Sequence, residues 1–329
     1  MVLVRHNDSV TDSARANERT LSGRLLSWTA PKRRRRRALG RVLRVAAPVL
    51  PRKPAPSRPI FVLGAPRSGT TVLFDVLNQA PAVASLDRET GVVWDTFHRV
   101  EDADWASHEV GPEDVTPAER RYLYWAIDRL ALRKRYLDKL PRNTLRVLYL
   151  QSLFPDAAFV FLRRDGRAVV SSLMTGWRSG PRFGRGMVPP IPLEIEGYEG
   201  NTWKFLLPPG WERYAQGRRL AEVCAFQWVS ANESVLAAKE HVAPERWVEV
   251  SYEEMTDRPR ATAERTLDAL GLSPAPDAVR YAEELDRHVT KKAVTPPKRD
   301  KWREENGEEI DRILPQIEPM MRRLGYPFD

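Results

Sequence analysis

The sequence predicts an α/β fold: a three-layer α/β/α domain around a central parallel sheet of about five strands. Short apolar runs at residues 60–63, 83–86, 136–141, 157–162 and 247–250 alternate with stretches whose apolar residues recur at helical spacing. Strands separated by helices imply parallel pairing through right-handed crossovers. The chain of 329 residues is long enough to bury a substantial core, and no fixed-period repeat divides it.

Composition narrows the class. Charged residues make up 29% and hydrophobic residues 42%, the balance of a soluble globular protein, and no apolar run is long enough to cross a bilayer. The single cysteine, Cys224, excludes an intrachain disulfide framework and a cysteine metal cluster; among Leu220, Val223 and Phe226 it reads as a buried structural thiol. The net charge of +9 is unevenly spread. Residues 1–58 hold 15 Lys and Arg against three Asp and Glu, a net +12, which leaves 38 against 41, a net −3, over residues 59–329. The folded part is therefore close to neutral, and no specific nucleic-acid partner is expected.

Residues 1–58 read as a basic, disordered arm followed by a Pro-rich linker, PVLPRKPAPSRP, and residues 59–329 as the main domain. The arm contains Lys32 and Arg33–Arg37, followed by Ala38, Leu39, Val42, Leu43, Val45 and Ala46 beside Arg41 and Arg44. That pattern suits contact with an anionic membrane surface, while the arginines interrupt any secretory signal, so a cytoplasmic or membrane-peripheral place is expected.

The apolar run Ile60–Leu63 stops at Gly64, the mark of a buried strand entering a turn. From Thr70 the residues Val72, Leu73, Val76 and Leu77 keep helical spacing, and Pro81 ends the helix. Between them, Gly64-Ala65-Pro66-Arg67-Ser68-Gly69-Thr70-Thr71 forms a loop whose glycines admit close backbone approach and whose amides open a helix, an anion cradle. The spacing is P-loop-like, but Thr70 stands where a nucleoside-triphosphate loop has lysine, and Arg67 supplies a cation three residues earlier. An NTP-dependent kinase is the alternative reading.

The chain continues in the same alternation. The run 83–86 ends at Asp87-Arg88-Glu89-Thr90, a carboxylate beyond a strand end, where open α/β sheets bind ligands. A helix is expected over about 118–135, then a strand from Tyr136 that carries Lys139 at its end. Asn143 is the expected cap of the next helix, which Pro155 closes. The strand AAFVFL runs into Arg163-Arg164-Asp165-Gly166-Arg167 and a helix start capped by Asp165, a second anion site. Residues 176–216, rich in Gly, Pro, Trp and Arg, break the alternation and read as a functional loop or lid over an acceptor pocket. Helices over about 218–240 and 260–270, the second stopped by Gly271, flank the strand 247–250. Basic residues before Trp302 lead to a final helix through Ile310, Ile313, Leu314 and Ile317.

The glycine loop, the Arg164 and Ser172 pair in LRRDGRAVVSS, the late strand VEVSYEEM and the basic segment near Trp302 stand in the order found in sulfotransferases that use 3′-phosphoadenosine 5′-phosphosulfate (PAPS). The G-T-T, R-E-T and D-K-x-P segments resemble tyrosylprotein sulfotransferases and their bacterial relatives, and together the match spans roughly residues 59–305. The resemblance implies that Arg67, Ser68, Gly69, Thr70 and Thr71 hold the 5′-phosphosulfate. It likewise implies that Arg164 and Ser172 grip the 3′-phosphate, that Tyr252 contacts the nucleotide, and that Lys298, Arg299 and Lys301 close over it, although their spacing departs from the family's R-K-G pattern.

By the same resemblance Glu89 is the base that takes the acceptor proton, and Arg67 and Lys139 offset charge on the leaving phosphate oxygen. His98 is the alternative base, since cytosolic family members use histidine. The implied reaction moves a sulfuryl group from PAPS to a hydroxyl or amine of a small-molecule, lipid, carbohydrate or peptide acceptor, with no metal expected. Read on their own, Lys139 can pair with Asp138, Arg163 and Arg167 can form surface ion pairs, Ser171 can pack inward, and Tyr252 can be a core ring.

Overall fold

A computed structural model describes residues 33–86, 91–179, 186–285, 287 and 301–327. Its first helix, α1 (Arg33–Ala46), continues into a short 3₁₀ turn at Ala47–Val49. Helix α1 takes in Arg33–Arg37, which the charge run alone assigns to a disordered arm. Arginine is a good helix former, and Leu43, Ala47 and Leu50 fix the following turns against the core.

Strand β1 (Ile60–Leu63) leads into α2 (Thr70–Leu77), and β2 (Val83–Ala84) precedes the short α3 (Gly91–Trp94). Helix α4 (Pro117–Ala131) starts with proline in its first turn and is capped by Thr116, whose side chain accepts from the Glu119 amide. Next come β3 (Arg135–Asp138), α5 (Val147–Leu153), β4 (Ala158–Arg163) and α6 (Gly166–Arg178). The Asp165 side chain accepts from the Arg167 amide, as expected of its cap. Asn143 is no cap. Its amide donates to Asp138 Oδ2 at 3.0 Å, because a buried carboxylate offers a stronger acceptor than a helix end.

A parallel pair, β5 (Glu194–Glu196) and β6 (Gln216–Arg219), leads to α7 (Leu220–Lys239). Strand β7 (Trp247–Ser251) is followed by α8 (Tyr252–Asp257), α9 (Pro259–Ala269), α10 (Pro276–Glu283) and α11 (Lys301–Arg323).

The main sheet is five-stranded in the order β2-β3-β1-β4-β7, with all pairs parallel. Its two faces feed two cores, which is the physical content of a three-layer fold. Phe61, Leu63, Phe159 and Phe161 point into one core with residues of α4, α5, α6, α7 and α11. Ile60, Val62, Val160 and Leu162 point into the other with residues of α2, α9 and α10.

The segment predicted as a lid owes its tryptophans to that first core. Trp177, Trp203 and Trp211 are buried and meet edge to face at 5.3 and 5.2 Å. Cys224 is buried in the same core, and burial pushes its thiol up.

The strand order matters for function. From β1 the chain moves toward β2 on one side, and from β4 it moves toward β7 on the other. The loops after these two adjacent strands therefore part, opening a crevice at their carboxyl ends.

Candidate active site at the carboxyl ends of β1 and β4

The loop after β1 is shaped by what glycine permits. At Gly64 an added Cβ would lie 2.7 Å from the Leu162 carbonyl oxygen, so the loop crosses β4 at backbone contact. Gly69 sits at φ +101, and a Cβ there would be 2.4 Å from Cδ2 of Tyr252, the first residue of α8. Ser68 closes the turn by donating its amide and its hydroxyl to the Ala65 carbonyl, at 3.1 and 2.7 Å. Ser68 thus builds the loop, with its hydroxyl bonded within the turn. Gly69 caps α2 without a side-chain hydrogen bond, and the helix opens with Thr70 and the half-exposed Thr71. Amides at such a helix start face outward and favour an anion.

Arginine gathers at this turn. Arg67 holds φ +72, a conformation that costs a non-glycine residue about 1–3 kcal/mol and recurs at functional sites. Its Nε donates to the Ser172 hydroxyl of α6 at 3.2 Å. Arg164, just past β4, donates through Nη1 to the Arg67 carbonyl at 3.2 Å, and its guanidinium lies 3.9 Å from the centroid of the Tyr252 ring. Burial, and then the Arg164 charge, lower the pKa of Arg67. Two guanidinium groups held this close make the crevice electropositive.

The structure thus brings Arg67, Ser68, Gly69, Thr70, Thr71, Arg164, Ser172 and Tyr252 into one site. Lys139 follows β3, which pairs with β1 so that Asp138 lies opposite Phe61. It is 5% exposed at the same sheet end. Asp138, 1% exposed, accepts from Trp94 Nε1 and Asn143 Nδ2, each at 3.0 Å, and from the Tyr136 hydroxyl at 3.4 Å. These bonds pin the backbone that presents Lys139.

Glu89, Lys298 and Arg299 lie outside the described residues. Gly91, two residues after Glu89, begins α3, and a Cβ on it would be 3.6 Å from Arg142 Nη2 and 3.9 Å from Leu140 Cδ1. Gly91 therefore sits beside the loop that carries Lys139. Lys301 opens α11 and pairs with Glu305 at 2.6 Å.

His98 keeps other company: its Nε2 is 2.7 Å from Glu119 Oε1, and its ring meets Tyr149 edge-on at 5.3 Å. Tyr149 donates to Glu119 at 2.5 Å, and burial, then Glu119, raise its pKa well above the ordinary value. Arg163 and Arg167 serve structure. Arg163 donates to the Leu324 carbonyl at 2.9 Å, and Arg167 pairs with Asp165 at 2.7 Å. Asp138 is more than the partner for Lys139 that the sequence suggests, and Asn306 is announced in the sequence only by an Asn-Gly pair inside a helical pattern.

A family model described as "Sulfotransferase family" matches residues 59–184 and 205–277, more than half of the chain. The chain belongs to the sulfotransferase family. Among curated proteins it is similar to protein-tyrosine sulfotransferase A of Caenorhabditis elegans, 24% identical over 292 residues, covering 81% of this chain and 67% of the relative. It is also similar to nodulation protein NoeE of Sinorhizobium fredii, 26% identical over 296 residues, covering 81% of this chain and 65% of that protein. Among solved structures it resembles sulfotransferase STF9 from Mycobacterium avium, with a TM-score of 0.55 and 17% identity, covering 86% of this chain and 80% of the other. The fold is shared with that sulfotransferase, and family membership decides against the kinase alternative raised by the loop spacing.

Proposed function

We propose that this sulfotransferase moves a sulfuryl group from PAPS to a hydroxyl or amine of its acceptor, with the crevice between β1 and β4 as the nucleotide site. The observation that carries this reading is the meeting of Arg164 and Ser172 with Arg67 at the glycine turn. A nucleotide phosphorylated at both ends needs cations for both phosphates, and here two guanidinium groups share one crevice.

The fit is to a flat, anionic molecule. Outward amides at Gly69, Thr70 and Thr71 suit the 5′-phosphosulfate, the Arg164 fork and Ser172 hydroxyl suit the 3′-phosphate, and the Tyr252 ring packed on Gly69 forms one wall. Lys298, Arg299 and Lys301 complete the cationic set in this reading. During transfer the bond from sulfur to the bridging oxygen breaks as the acceptor atom bonds to sulfur. The acceptor proton passes to Glu89, and PAP leaves. Arg67 and Lys139 offset the charge that grows on the leaving oxygen. The names of two relatives place their own acceptor on protein tyrosine or leave it unstated. For this chain the acceptor class is a small molecule, lipid, carbohydrate or peptide.

The test is a screen of phenols, tyrosine peptides, sugars, lipids and amines with labelled PAPS. Label should move to one class, and Glu89→Gln should depress turnover while leaving PAP affinity within about twofold. Loss of PAP affinity without loss of turnover would reverse the assigned roles.

A second reading concerns the amino-terminal segment. Helix α1 docks through Leu43, and Arg44 bonds the Thr96 carbonyl and pairs with Asp102. Val42, Val45 and Val49 stay 62%, 82% and 83% exposed on the other side, next to exposed Arg41. No described helix is long and apolar enough to cross a membrane. Exposed valines within a strongly basic segment suit peripheral contact with an anionic bilayer. Flotation with phosphatidylserine vesicles should recover the protein, and replacing the three valines by serine should abolish recovery. Equal recovery with phosphatidylcholine vesicles alone would refute the charge argument.

A further inference from the structure

Helix α11 is not one straight rod. Asn306 leaves the helical region at φ −146 and ψ 30, which separates residues 301–305 from the longer part that follows. The short part is fastened to the opening of α6. Trp302 is buried, and Arg167, ion-paired with the α6 cap Asp165, stacks 5.3 Å from its ring centroid. At the break, Asn306 Nδ2 donates to the Ser171 hydroxyl at 2.8 Å, and Arg178 Nη1 donates to Asn306 Oδ1 at 3.2 Å. One amide thus bridges two positions of α6 about two turns apart.

Ser171 and Ser172 are adjacent on that helix and diverge by about 100°. Ser172 receives Arg67 of the glycine turn, while Ser171, 2% exposed, receives Asn306. Rotating α6 to improve one contact would spoil the other, so the Asn306 bond works with the buried Val170, Leu173 and Met174 to hold the angle at which Ser172 faces the crevice. The same amide also sets where Lys301 sits, because residues 301–305 form a single helical stretch ending at the break.

We propose that Asn306 is a positioning residue for the 3′-phosphate end of the nucleotide, acting through Ser171 on Ser172 and through the short stretch on Lys301. This rests on the reading of Arg164 and Ser172 as the 3′-phosphate grip. A side chain able both to donate and to accept at a non-helical backbone position explains why asparagine interrupts this helix.

The experiment is calorimetric titration of PAP and of AMP into the full chain, into Asn306→Ala and into Ser171→Ala, with Tm recorded for each. The wild type should prefer PAP. Each variant should lower PAP affinity roughly fivefold, the scale of one hydrogen bond, while AMP affinity stays within about twofold. The double variant should be no worse than Asn306→Ala alone, since the bond that Ser171→Ala breaks is already gone there, while Asn306→Ala also loses the Arg178 contact. If the wild type prefers PAP and the variants keep its full PAP-to-AMP ratio, or lose both ligands equally, Asn306 is only structural and the inference is overturned. If the wild type binds both ligands equally, the 3′-phosphate reading itself is overturned.

Discussion

Replacing Gly69 by alanine tests how the crevice is built. The residue sits at φ +101, where a side chain costs about 1–3 kcal/mol. The new Cβ would also lie 2.4 Å from Cδ2 and 2.6 Å from Cε2 of Tyr252, inside any allowed contact, so the ring must move. The ring is what Arg164 rests on at 3.9 Å, so the displacement passes to the second arginine of the site. At about 2–4 °C per kcal/mol for a chain of this order of size, thermal unfolding should begin several degrees earlier. PAP affinity should fall by at least about tenfold. Tyr252→Ala in the same chain removes the clash and leaves the backbone strain, so the double variant should regain part of the lost Tm. Differential scanning fluorimetry on the four proteins reads this directly. A double variant whose losses simply add would refute the claim that the ring enforces glycine.

The remaining predictions concern neighbouring groups. Arg164→Ala should weaken PAP binding about 10- to 100-fold in calorimetry, the loss of one charge-assisted contact, while the vanished ring contact costs about 0.5–1 kcal/mol of stability in denaturant titration. Asp138→Asn leaves Trp94, Asn143 and Tyr136 with one carbonyl oxygen instead of a carboxylate; urea unfolding should show a loss of about 1–3 kcal/mol. Turnover, which depends on where Lys139 stands, should fall with it. His108 accepts from the Leu207 amide through Nδ1, and burial, then Arg142 and Arg146, hold its pKa well below the usual histidine range. The folded state therefore stays unprotonated where the unfolded chain already takes up a proton. Stability attached to His108 is whole above about pH 6.5 and is lost on acidification below it, by about 1.4 kcal/mol per pH unit. Melting curves of the protein and of His108→Asn should converge between pH 7 and pH 5.

What the sequence made legible follows from where local chemistry decides the outcome. The strand Ile60–Leu63, the glycine loop and the Asp165 cap are fixed by residues within a few positions, and each stands where the pattern predicts it. The pairing of Arg164 with Ser172 came from the family resemblance; that both also meet Arg67 was not legible, because contacts across 97 and 105 positions leave no local trace. Asn143 misled for the opposite reason: a local capping rule pointed forward to the helix, while the buried Asp138 carboxylate lay five residues back. The tryptophans of 176–216 suggested a ligand pocket by composition, whereas Trp177, Trp203 and Trp211 spend their surface on the core. Asn306 was unreadable as a bridge, since its partners Ser171 and Arg178 belong to a helix more than 100 residues earlier.

The central claim is that one crevice carries cations for both ends of a doubly phosphorylated adenosine. Isothermal calorimetry comparing PAP with AMP on the intact chain tests it most directly. The arrangement of Arg67, Arg164 and Ser172 predicts PAP bound at least about tenfold more tightly, a difference of about 1.4 kcal/mol or more that Arg164→Ala erases. Indistinguishable affinities for the two nucleotides would contradict it.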